Sequence, residues 1–86
     1  MMASQLHELR GKIDTLDRRI AGLLARRFAL AAAITRTGLK KKFTDAAREK
    51  RVLANAAAAA GAPSFGRAAR AIFTEIIRQT KKIQKC

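Results

Sequence analysis

From Leu6 onward the apolar residues fall at Leu6, Leu9, Ile13, Leu16, Ile20, Leu23, Leu30 and Ile34. Steps of three and four residues put these side chains on one face of an α-helix. A helix from about residue 4 to 37 would be roughly 50 Å long at 1.5 Å per residue. A compact globule of 86 residues has a radius of gyration of only about 12 Å. The stripe therefore outruns any core this chain can build alone, and the pattern predicts a second copy packed against it. Gly38 follows the last periodic residues, where a helix commonly closes with a left-handed residue.

Two further helices are predicted. Thr44 or Asp45 is a fair N-cap for a helix over about 45–60, which carries Ala46, Glu49, Val52, Leu53 and the alanine run Ala56 to Ala60. Alanine is the best helix former and lets helices approach closely. Gly61, Ala62 and Pro63 end that segment. Ser64 is the expected cap of a third helix over about 65–85, with Ala68, Ile72, Phe73, Ile76, Ile77, Thr80, Ile83 and Gln84 along one face. No alternation of period two and no internal repeat occurs. The expectation is a single all-α domain over residues 1–86: three helices, one long and two shorter, in an intertwined homodimer.

Small chains of this length bury little surface and often need a partner, a metal or disulfides. Cys86 is the single cysteine, so no internal disulfide or thiolate cluster can form. His7 has no second ligand at helical spacing, and no metal site is expected. The longest apolar stretch, Phe28 to Ile34, is too short to cross a bilayer. With no leader pattern at the N-terminus, the chain reads as soluble and cytoplasmic, with no membrane partner.

Nineteen Lys and Arg against six Asp and Glu make a formal charge of +13, which concentrates anions around the surface. Nucleic acid is one candidate. However, no Trp, no Tyr and only four Phe leave few platforms on which bases could stack. Runs such as Arg18–Arg19 and Lys40–Lys42, with Lys81, Lys82 and Lys85, read as solvated faces.

Arg27 lies four residues after Leu23 and three before Leu30, so an arginine occupies a seam position. One such residue can snorkel from the seam's edge. Arg10 borders the same stripe, however. Arg48 and Glu49 sit together at the start of the second helix, and Thr80 with Gln84 interrupts the apolar face of the third at one-turn spacing. Buried cations without partners are costly. Several polar groups converging on a helical core imply an ion-pair network or a cavity for a small anion.

The string LRGKIDTLDRRIAGLLARRFALAAAI, followed by DAAREKRVL and IFTEIIRQTKKIQ, resembles the all-helical (AroQ-type) chorismate mutases across nearly the whole chain. Four elements carry the likeness: an L-R-x-x-I-D-x-L-D-x-x-I opening, an L-L-x-x-R core arginine, a D-x-x-R-E helix start, and an I-F-x-x-I-I tail with a hydroxyl residue and then Gln. The resemblance implies a cofactor-free isomerase that rearranges the dianion chorismate to prephenate, for phenylalanine and tyrosine biosynthesis. It implies that Arg27, together with Arg10 donated across the homodimer, forks onto the substrate's carboxylates. Arg48 corresponds to a third cation, Glu49 to the acceptor for the ring hydroxyl, and Asp45 to the polar loop edge. Thr80 stands where serine is usual as a carboxylate contact, Ile34 and Ile77 are apolar walls, and Gln84 donates to the ether oxygen.

The chain departs from the family at Gly38, where a lysine normally donates to that oxygen. Lys40, Lys41 and Lys42 follow, and Lys40 is the first choice as surrogate on distance. Isochorismate or an amino-substituted chorismate (aminodeoxychorismate) in the same pocket remains an alternative substrate. A non-catalytic basic dimer that binds nucleic acid or a protein partner is the alternative from another class; it leaves Arg27 in the seam unexplained.

Overall fold

A computed structural model describes residues 2–38 and 45–85. They form three helices, α1 (Met2–Thr37), α2 (Ala46–Ala60) and α3 (Pro63–Lys85), and no strand occurs among the described residues. The chain divides into two compact units, Met1–Leu30 and Ala31–Cys86.

The first unit consists of the N-terminal turns of α1. Its stripe is open to solvent, with Leu6, Leu9, Ile13, Leu16, Ile20 and Leu23 each about half exposed or more. On the polar side Thr15 Oγ1 donates to the Gly11 carbonyl at 3.1 Å, and Arg18 donates to Thr15 Oγ1 at 3.3 Å. α1 begins at Met2, two residues before the periodicity required, because alanine, serine and glutamine extend a helix at little cost.

In the second unit, α2 packs against α3, and the last turns of α1 contribute Ala31, the one large or small apolar side chain counted as buried among the described residues. α1 stops at Thr37. Gly38 adopts φ +70° and its N–H bonds the Thr35 carbonyl at 3.2 Å, while Arg36 in the last turn suits the negative end of the helix dipole.

The α2–α3 connection is very short. Gly61 takes φ 83°, ψ −81°, a backbone shape that a side chain would strain. Its N–H bonds Ala58 O at 3.2 Å, and the Ala62 N–H bonds Ala60 O at 3.1 Å, so the chain reverses within a γ-turn. Pro63 then opens α3, because proline has no N–H to satisfy and its φ already suits the first helical position. The Ala62 carbonyl accepts the first bond, from Gly66 N at 2.8 Å. Ser64, expected as the cap, instead lies inside the first turn.

Gly66 is buried, and a Cβ there would stand 3.3 Å from the Ala57 carbonyl and 3.6 Å from the Ala57 Cβ. The two backbones meet at an alanine and a glycine because only such small residues allow that approach. From this contact the helices run on with Leu53 and Val52 of α2, and Ala69, Phe73, Ile76, Ile77 and Ile83 of α3, all half-buried. No large side chain among the described residues is fully buried.

Candidate active site

The start of α2 is set by Asp45. Its extended backbone (φ −126°, ψ 94°) turns its carboxylate onto the helix end, where Oδ1 accepts from Arg48 N–H at 3.0 Å. The Asp45 carbonyl accepts from Glu49 N–H at 2.9 Å. This N-cap satisfies an otherwise orphaned donor and places negative charge at the positive end of the helix dipole. It also fixes the rotation of the first turn, with Arg48 exposed and Glu49 half-buried.

Glu49 Oε2 meets Lys81 Nζ at 2.9 Å, with the two side chains 27% and 28% exposed respectively. The ion pair joins the first turns of α2 to the last turns of α3. Lys81 lies four residues after Ile77 and three before Gln84, and it adjoins Thr80. Helical spacing puts these four on neighbouring rows of one face. Thr80 Oγ1 donates to its own helix at Ile76 O, 2.7 Å away, a local bond that holds its rotamer. Ile77 is half-buried.

Gln84 is 5% exposed. Its Nε2 donates to the Ala31 carbonyl at 3.2 Å across 53 positions of sequence, and Thr35 Oγ1 approaches the same carbonyl at 3.4 Å. A neutral amide is the least costly way to bury a polar side chain when a backbone acceptor is available. The bond fixes the amide plane. Ile34, one turn beyond Ala31, remains exposed.

The structure thus brings Glu49 to the α3 turns that carry Ile77, Thr80 and Gln84, and anchors Gln84 on the end of α1 near Ile34. Arg10 and Arg27 belong to the Met1–Leu30 unit, where Arg10 is exposed and Arg27 half-buried. Lys40, with Lys41 and Lys42, lies outside the described residues. Lys81 is the residue the sequence reading missed: it was grouped with solvated lysines, whereas it is largely covered and paired with Glu49. Its register between Ile77 and Gln84 was the available signal. No three His, Cys, Asp or Glu side chains among the described residues form a group able to hold a metal ion, and no described helix is long and apolar enough to cross a membrane.

Among the described residues, three helices and no strand make an all-α fold, with the Glu49–Lys81 pair where α2 meets α3 and Thr80 and Gln84 on the adjoining turns of α3. The model of the chorismate mutase type II family matches residues 9–85, and the chain belongs to that family. The match spans every candidate site residue from Arg10 to Gln84. Comparison with curated proteins and with solved structures found no match. Membership places the chain among chorismate mutase-type isomerases.

Proposed function

We propose that the protein is a homodimeric chorismate mutase that converts chorismate to prephenate for phenylalanine and tyrosine biosynthesis. The observation that carries the reading is the family match over residues 9–85; the gathering of Glu49 with the α3 turns bearing Thr80 and Gln84 supports it.

In this reading the protein forms no covalent bond with substrate. Arg27 and Arg10 of the partner subunit each present paired donors to a carboxylate of the substrate, a planar fork matched to that group, and Arg48 adds a third cation. Thr80 contacts a carboxylate by re-aiming the hydroxyl hydrogen that it otherwise donates to the Ile76 carbonyl. Glu49 accepts from the ring hydroxyl, with Asp45 at the polar edge beside it. Ile34 and Ile77 confine the enolpyruvyl arm over the ring, so that an infrequent conformer becomes the bound one. As the ether bond breaks, negative charge builds on its oxygen, and Gln84 and Lys40 donate there. The bond from its amide to the Ala31 carbonyl holds Gln84 in place on α3.

The test is to incubate purified protein with chorismate, follow substrate loss and identify the product. Enzyme-dependent formation of prephenate is expected. Loss of pyruvate, or an unchanged substrate pool, overturns the reading.

A further inference from the structure

The Glu49–Lys81 ion pair bears on which ring substituent the site accepts. A carboxylate has two oxygens and about four lone-pair positions. Lys81 engages Oε2 at 2.9 Å, which leaves Oε1 as the acceptor for a ligand. Both side chains are less than a third exposed, so water only partly screens the charges. The pair as a whole carries no net charge. A neutral hydroxyl donating to Oε1 adds none, and the hydrogen bond is charge-assisted. An ammonium on the same ring carbon would set a second cation on a carboxylate already matched by Lys81, within a few ångströms of its Nζ, where like charges repel.

We propose that Lys81 is a specificity-determining residue: by neutralising Glu49 across the α2–α3 contact, it makes the site accept a ring hydroxyl and turn away a ring ammonium. This rests on the reading under which Glu49 receives the ring substituent of chorismate. Lys81 acts through Glu49 and is a positioning residue. The pairing with Glu49 turns Lys81 toward α2, whereas the neighbouring Lys82 is exposed.

The experiment uses the full chain and its Lys81→Met, Lys81→Gln and Lys81→Arg variants, with helix content checked by circular dichroism. kcat/KM is measured for chorismate, and the inhibition constant of its amino-substituted analogue is measured in the same assay. Methionine keeps the stem and removes the charge, leaving Glu49 an uncompensated anion. The preference for hydroxyl over ammonium should fall at least about ten-fold in Lys81→Met, the effect of roughly one pKa unit's worth of interaction, and be retained in Lys81→Arg. Lys81→Gln gives the same reading if Lys81→Met folds poorly. General damage to the site weakens both ligands together and leaves the ratio unmoved. If the parent protein rearranges chorismate and the ratio is the same in all variants, Lys81 has no part in selection and this inference fails alone. If the parent does not act on chorismate, the functional reading fails and takes this inference with it.

Discussion

Ile20→Asp should dissociate the proposed homodimer. Ile20 stands in the middle of the α1 stripe and is 53% exposed, with Ile13 and Leu16 before it and Leu23 after it similarly open. Burying an isoleucine fully contributes about 1.5–3 kcal/mol, so covering the open half contributes about 1 kcal/mol. In a two-fold dimer the residue occurs twice, and the lost burial comes to about 2 kcal/mol. An unpaired carboxylate in that seam adds several kcal/mol at full burial; with snorkelling and protonation we take about 1 kcal/mol per chain. The sum, about 4 kcal/mol, is roughly a thousand-fold rise in Kd. Ile20→Ala removes only the burial and should raise Kd roughly thirty-fold. Sedimentation equilibrium over a wide concentration range measures both. A parent protein that is a well-folded monomer at every concentration, or an Ile20→Asp variant with an unaltered Kd, would refute the reasoning. Because Arg10 is proposed to act from the partner, chorismate turnover should fall in step with the dimer fraction.

Arg27→Ala should lower kcat/KM for chorismate by about two to four orders of magnitude, the scale of a lost preorganised clamp, with helix content unchanged by circular dichroism; unaltered turnover removes Arg27 from the site. Among single alanine replacements of Lys40, Lys41 and Lys42, Lys40→Ala should depress kcat most, and equal turnover in all three rules out a loop cation. Asp45→Ala should cost about 1 kcal/mol of stability through the lost cap, while Asp45→Asn retains most of it; equal melting temperatures for the two variants contradict the capping role seen in the 3.0 Å bond to Arg48 N–H.

What could be read directly from the chain were the features that depend on near neighbours. The three helices follow from apolar spacing, which repeats within a turn or two. Their ends follow from local backbone chemistry: Gly38 and Gly61 adopt positive φ, and Asp45 caps α2. The start of α3 was misplaced because Pro63 and Ser64 are both good early residues, and the rigid ring of Pro63 took the first position. Tertiary structure alone decided how those helices were matched. Gln84 finds its acceptor at Ala31, 53 positions away, and the glycine in α3 meets the alanine run at Ala57. Lys81 looked like one more solvated cation in a basic tail until α2 set Glu49 against it at 2.9 Å. A lysine's own sequence neighbours cannot distinguish a wet ammonium from a paired one, since that difference lies in which carboxylate the packing of another helix brings within reach.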